Sequence, residues 1–315
     1  MTAVHFDADM PDDERRQRLY AGDIFIFSAS PGTRALIALA RRMLEEAFAP
    51  HDPRTIHEHK TPEEVAAILS TLKPAFIHHP ECKKLLPQIM AEHGVDLERL
   101  YFDVPRMRSA YPSHFLSSGI AYAFHPHRDT WYSAPQCQLN WWIPIYPVHP
   151  DNAMGFYPRH FEEAVLNSSS TYNYYEWNTN NRATAAQNIK TDTRIQPKAL
   201  APIDKVNLRY LPPAGGIIIF SGAQLHETVE NSTGVARYSI DFRTVNIDDA
   251  RAKQGAPKLD ASCTGTTMRD FLRAIDLAKL PEDVVQMYDD ETASAEKVLY
   301  FGDRLVTERA DGGRS

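Results

Sequence analysis

Residues 237–243 alternate in character without a break: Arg237, Ser239, Asp241 and Arg243 fall on one side, Tyr238, Ile240 and Phe242 on the other. A side-chain period of two belongs to an extended strand, so this stretch is expected in a sheet with its apolar face buried. The polar face of such a strand is ordinarily solvated; the interior of a barrel that takes a charged guest is the exception. From Leu100 to about Ala250 the surrounding chain consists of short β-branched and aromatic runs broken by Pro and Gly, the texture of an antiparallel sandwich or barrel. Strands are expected over Ile120–Phe124, Cys137–Ile145, Met154–Tyr157, Gly215–Phe220 and Val235–Val245. In the first, Ala121 and Ala123 share a face with His125, His127 and Asp129, so small residues leave room beside the polar ones.

The flanks read differently. Leu36, Leu39, Ala40, Met43 and Ala47 recur at helical spacing after Pro31-Gly32. Thr61-Pro62-Glu63-Glu64 opens a second helix with a capping hydroxyl, a proline in the first turn and acidic residues there. A third is expected over Glu81–His93, stopped by Gly94, and helical patterns return over Thr267–Ala278 and Asp283–Tyr288. The organisation expected is one integrated domain: a helical region 1–99, a β core 100–250 carrying a polar insertion at 161–202, and a helical extension 251–315 ending in a frayed Gly312-Gly313. The insertion is too long for a hairpin, and long loops in compact domains tend to be lids or binding segments.

Composition excludes several classes of function. With 315 residues, 10% aromatic and 24% charged, the chain can bury a sizeable core. A net charge of -7 with no Lys/Arg-rich run argues against nucleic acid as the main partner. Residues 1–16 have neither the basic start nor the apolar stretch of a secretory signal, and no run approaches the roughly 18 apolar residues of a membrane span. Three scattered cysteines, Cys82, Cys137 and Cys263, fit reduced thiols rather than a disulfide framework, so a cytoplasmic protein is expected. Nothing in the sequence sets its oligomeric state.

Chemistry concentrates in His127-Arg128-Asp129, His226 and Arg237-x-Ser239. Two neutral imidazoles and one carboxylate crowded on one face of a divalent ion leave the opposite face open, the arrangement expected of non-haem Fe(II) sites that activate oxygen. Arg237 offers a planar fork of donors to the far carboxylate of a chelating cosubstrate, with Ser239 on the same strand face. Other histidines compete on paper. His125 shares the face of His127, but a packing or supporting role is expected of it. His57-Glu58-His59 and His78-His79 lack a suitably spaced carboxylate partner, and His149 and His160 are expected at the surface or in packing. Glu227 should point away from the metal. Gln138 and Asn140 share a strand face beyond the triplet, and Asn140 is carried as a cosubstrate contact. Arg106, Trp131 and Tyr132 are candidate substrate contacts, each with a plainer reading as a salt bridge or as aromatic packing, and Arg108 is weighed with Arg106.

His127-x-Asp129, His226 and Arg237-x-Ser239, with Gly215–His226 as turn, buried strand and distal histidine, resemble the signature of the Fe(II)/2-oxoglutarate-dependent dioxygenases. Within that superfamily the similarity is to the phytanoyl-CoA dioxygenase-like group. Asp151–His160 resembles the segment between the metal motifs, except that Pro158-Arg159-His160-Phe161 stands where Pro-Gly-Ser-His is usual. The resemblance covers roughly Tyr101 to Asn246. It implies a double-stranded β-helix, a cupin-like jelly-roll core, mainly β with flanking helices. It implies Fe(II) on His127, Asp129 and His226, with 2-oxoglutarate and O2 as co-reactants, and oxidation of an unactivated C–H bond with release of succinate and CO2. A carboxylate at position 129, where related halogenases have a small residue, favours hydroxylation, desaturation or ring formation. The Asn/Tyr-rich insertion with Arg182, Lys190 and Arg194 suggests a small polar substrate, such as a metabolite or natural-product intermediate. Two alternatives remain at this point: a cupin-like metal hydrolase or isomerase, for which Arg237 would be dispensable, and a non-catalytic jelly-roll binding module.

Overall fold

The computed structural model describes residues 2–116, 125–181, 196–204 and 208–290. The chain forms strands β1 (Val4–Phe6), β2 (Ile24–Phe27), β3 (Leu100–Phe102), β4 (Arg106–Ala110), β5 (Leu139–Pro144), β6 (Met154–Phe156), β7 (Leu208–Tyr210), β8 (Ile217–Ser221), β9 (His226–Thr228), β10 (Arg237–Asn246) and β11 (Leu272–Arg273). The main helices are α1 (Asp12–Tyr20), α2 (Pro31–Phe48), α3 (Pro62–Ile77) and α4 (Pro80–Glu92). A large mixed sheet runs β1-β2-β8-β5-β10-β3-β11, with β4 also paired to β10; a smaller sheet runs β7-β6-β9.

The alternation in residues 237–243 decides how these layers stack. On one face of the large sheet Tyr238, Ile240 and Phe242 join Phe25, Phe27, Trp141, Ile143, Ile217 and Ile219 in the main core, against Leu36, Leu44 and Phe48 of α2 and Leu69, Phe76, Leu86 and Ile89 of α3 and α4. On the other face Ile24, Ile26, Trp142, Ile218 and Phe220 pack against Met154, Phe156 and Tyr210 of the small sheet. Helices, large sheet and small sheet therefore form successive layers, and the polar face of β10 turns inward, toward the small sheet. Ser239 lies opposite Arg108 and Pro144, Asp241 opposite Arg106 and Trp142, and Arg243 opposite Asn140.

Local signals placed the long helices well. Ser30 and Thr61 form capping boxes at α2 and α3, each followed by proline in the first turn. Helix α4 starts at Pro80, and Gly94 beyond it takes a left-handed φ of 72°. Elsewhere the expectations need correction. The N-terminal region, read as helical, also supplies β1 and β2: Ile24–Phe27 is buried on both faces, so the short run carries no period that separates strand from helix. Thr267–Ala278 is not a helix but a 3-10 turn, Met268–Asp270, followed by β11, which takes the free edge of β3. The expected helix near Asp283 spans Glu282–Gln286. The expected strand at 120–124, the basic residues Arg182, Lys190 and Arg194, and the C-terminal glycines lie outside the described residues.

The described part of the insertion is tied to the chain that follows the core. Val165 N–H donates to the Asp260 carboxylate at 2.9 Å, Asn167 to the Asp260 carbonyl at 2.9 Å, and Asn173 to Thr264 Oγ1 at 2.9 Å. Among the described residues no helix is long and apolar enough to cross a membrane.

Candidate metal centre

Two histidines distant in sequence meet as direct neighbours. His127 and His226 form an antiparallel bridge in which each backbone N–H donates to the other's carbonyl at 3.0 Å. Residues opposed in this way project their side chains to the same side, and the two rings lie with centroids 4.4 Å apart. In each ring Nδ1 lies against the carbonyl two residues back, His125 O at 2.8 Å and Gln224 O at 2.9 Å. A carbonyl only accepts, so Nδ1 carries the proton and Nε2 keeps its lone pair. The Asp129 Oδ1 atom stands 3.5 Å from Nε2 of His127 and 3.9 Å from Nε2 of His226. Ligand atoms on one small divalent ion sit about 3 Å apart for bonds of roughly 2.0–2.2 Å, so a small contraction completes the site. Among the described residues this is the one group of three or more His, Cys, Asp or Glu side chains arranged to hold a metal.

Electrostatics set Asp129 and His226 in forms that could bind a metal. Burial, with His127 beside it, pushes His226 down to about 4, so its imidazole is neutral near pH 7. Burial alone would raise the Asp129 carboxyl, but the Arg243 guanidinium beside it outweighs burial and holds the group well below the usual carboxylate range. Phe220 packs on His226 with ring centroids 4.9 Å apart and Phe156 at 6.3 Å, an apolar backing that keeps water from the rear of the ligand.

The triplet itself departs from the sequence reading. His127 is an isolated bridge residue and Asp129 begins a 3-10 turn, Asp129–Tyr132, so the two ligands converge through a turn rather than through strand alternation. Arg128 between them is buried. Its guanidinium donates to the carbonyls of Ala223 at 2.5 Å, His160 at 2.5 Å and Glu163 at 2.8 Å, and to Asp260 at 3.1 Å. It therefore ties the ligand turn to the loop entering His226. Trp131, expected as a substrate contact, is fully buried and donates its indole N–H to Asp260 at 2.8 Å, at the same junction. Tyr132 stands beside the site, its ring edge-on to His127 at 5.5 Å and its hydroxyl donating to Pro197 O at 3.1 Å.

The inner face of β4, β5 and β10 is charged. Arg243 Nε lies 3.4 Å from Asp129 Oδ2 and Nη1 3.2 Å from Asp103, which also accepts from Arg106 at 2.5 Å. Arg108 grips Asp241 through two nitrogens, at 2.6 and 3.3 Å. Arg106, read as a contact for an anionic substrate, is thus engaged with an internal carboxylate. Asn140, read as a cosubstrate contact, accepts at 3.0 Å from Gln138 Nε2, which also donates to Asp129 Oδ2 at 3.0 Å. The supporting roles of Gln138, Arg243, Asp103, Arg128 and Asp260 went unread because each depends on a cross-strand or loop partner; the sole signal was the shared face of Gln138 and Asn140.

Arg237 and Ser239, on the same face, are not engaged by these internal carboxylates. Arg237 is 4% exposed and Ser239 0%. Arg237 Nη2 reaches Thr228 Oγ1 at 3.4 Å, two residues beyond His226, and its guanidinium carbon lies 5.5 Å from the centre of the Trp142 ring. Among the described residues Nε and Nη1 of Arg237 and Oγ of Ser239 have no hydrogen-bond partner. Burial pushes the Arg237 guanidinium down to about 10, still cationic near pH 7. Buried donors without acceptors are costly and rare, and call for an explanation such as an absent anion.

No family model matches the chain, and no curated protein matches it. Solved structures do. The non-heme monooxygenase ThoJ, in its apo form, is 13% identical over 68% of this chain and 69% of its own, with a TM-score of 0.36. The non-heme alpha ketoglutarate dependent epimerase SnoN from nogalamycin biosynthesis is 14% identical over 75% and 84%, with a TM-score of 0.36. EvdO2 from Micromonospora carbonacea var. aurantiaca, complexed with 2-oxoglutarate, is 13% identical over 76% and 92%, with a TM-score of 0.41.

Proposed function

We propose that this protein is a non-haem Fe(II)- and 2-oxoglutarate-dependent oxygenase on a double-stranded β-helix core, hydroxylating an unactivated C–H bond of a small polar metabolite or natural-product intermediate. The observation that carries the proposal is the pair of unsatisfied buried donors, Arg237 and Ser239, on the same inward face that holds the three-ligand cluster. The residues fit both groups. His127, Asp129 and His226 supply two neutral nitrogens and one anionic oxygen, the donor set of a ferrous site with positions left open. Arg237 and Ser239 supply N–H and O–H donors for the distal carboxylate of 2-oxoglutarate. When bound, iron and the keto acid supply oxidising power through oxygen activation, with succinate and CO2 as by-products.

The chain's own part is binding, orientation and exclusion of water. The planar guanidinium of Arg237, beside Trp142, offers the N–H groups of two nitrogens in directions fixed before the anion arrives, so little side-chain freedom is lost on binding. Ser239 adds one O–H donor from the same strand face. Tyr132 covers the side of His127, and Phe156 and Phe220 back His226, which keeps bulk water off the ligands. Oxygen-dependent loss of 2-oxoglutarate with added Fe(II), in a screen of metabolite pools read by mass gain of oxygen, tests the reading; no turnover with or without candidate substrates counts against it. A hydrolase or isomerase on the same ligands would turn over without keto acid, and a binding module would not turn over at all. Ser239→Ala should weaken 2-oxoglutarate binding about 10–100-fold, the worth of one hydrogen bond to a charged group, with kcat nearly unchanged. Titration of the metal-loaded protein checks this, and an unaltered affinity would remove Ser239 from the cosubstrate site.

A further inference from the structure

The carboxylate of Asp129 has two oxygens, and the structure treats them differently. Oδ1 faces the two imidazole nitrogens, whereas Oδ2 faces Gln138 Nε2 at 3.0 Å and Arg243 Nε at 3.4 Å. Gln138 is 1% exposed, and its Nε2 serves both Asp129 Oδ2 and Asn140 Oδ1, each at 3.0 Å. An amide nitrogen has two protons, so both are used. A flipped amide would set Oε1 against two acceptor oxygens, and the orientation is therefore locked. Gly222 makes room for it, since a Cβ there would lie 3.2 Å from Gln138 Nε2 and 3.5 Å from Asp129 Cβ.

Carboxylates bind divalent ions through one oxygen or through both. A second oxygen on the metal would fill a position that a chelating cosubstrate needs. The geometry points to Gln138, locked by Asn140 and assisted by Arg243, as the positioning residue that holds Asp129 Oδ2 away from the metal, so that the ligand binds through one oxygen and cosubstrate positions stay open. This rests on the metal and cosubstrate reading above, and it assigns Asn140 to the support of a ligand rather than to the keto acid. Ligating carboxylates generally depend on such outer partners for their orientation; the specific consequence here is a split between metal affinity and cosubstrate affinity.

Cobalt(II) serves as the probe, with visible absorption and calorimetry as readouts. Gln138→Met removes the donors at similar volume. Its cobalt affinity should equal or exceed that of the wild type, its 2-oxoglutarate Kd on the cobalt-loaded protein should rise fivefold or more, and its visible bands should change with the altered carboxylate binding. A rise of less than fivefold, a fivefold or greater loss of cobalt affinity, or an unchanged spectrum overturns the inference. The apo melting temperature and far-UV circular dichroism establish that the variant folds. If it does not, Gly222→Ala, which crowds the same amide and keeps every donor, decides the matter with a twofold threshold on the same measurements. A wild-type protein that binds cobalt but no 2-oxoglutarate would sink the cosubstrate reading instead, and the comparison of cobalt spectra would still decide how Asp129 binds.

Discussion

His226→Ala is expected to abolish 2-oxoglutarate turnover and to lower metal affinity by at least about 100-fold. Disturbing an outer partner of a metal ligand typically costs about 10–100-fold where no further ligand atom takes up the loss, and this substitution removes one of the three proposed ligands outright. The loss should be local. The bridge to His127 is made by backbone groups that alanine keeps, at 3.0 Å in both directions, so the pairing that sets His127 survives. The apo protein should keep its far-UV spectrum while calorimetric titration with Fe(II) or Co(II) shows weak or no binding. Asp129→Ala should lose turnover too, but it also takes one acceptor each from Arg243 and Gln138, so its apo stability should fall further than that of His226→Ala. Near-wild-type succinate production by either variant would end the metal assignment.

The second large effect is expected at Arg237, and it has opposite signs for function and for stability. Among the described residues two nitrogens of its buried guanidinium have no partner, so the fold without an anion carries an underpaired cation. Removing one member of a buried charged pair costs about 2–5 kcal/mol in binding, which at 1.4 kcal/mol per tenfold is about 30- to 3,000-fold in Kd. Arg237→Met should therefore weaken 2-oxoglutarate binding by two to three orders of magnitude and leave metal affinity unaffected. The same change should hold or raise the apo melting temperature, because an apolar side chain in that position has no unmet donors. Arg237→Lys should fail to restore affinity, since an ammonium lacks the planar fork. A variant that loses stability without losing cosubstrate affinity would make Arg237 a structural residue.

Local patterns carried much of this protein. The capped start of α3 was legible because a helix terminus is satisfied by residues within four positions of it, and α2 was legible from its apolar spacing. The inward face of β10 was legible because the polar/apolar alternation of 237–243 leaves one way to bury Tyr238, Ile240 and Phe242. The short apolar run Ile24–Phe27 was not, since a fully buried strand shows no period, and Thr267–Ala278 looked helical until the open edge of β3 took Leu272 and Arg273 as a strand. Propensity is a weak prior, and tertiary pairing overrides it.

The identities and spacing of His127, Asp129, His226, Arg237 and Ser239 were sufficient to nominate a metal site and an anion site, because the donor chemistry of a side chain belongs to the residue itself. Which donors remain free is a different kind of fact. Arg106, Arg108, Arg237 and Arg243 look alike in the chain, yet three of them meet Asp103, Asp241 or Asp129, whereas among the described residues Arg237 meets no carboxylate and has two fully buried nitrogens without a partner. Likewise Asn140 and Gln138 differ in role because Gln138, two residues away on the same face, is the one whose amide reaches Asp129. Hydrogen-bond satisfaction is settled between groups brought together from distant parts of the chain, so it becomes visible only when the strands have been assembled.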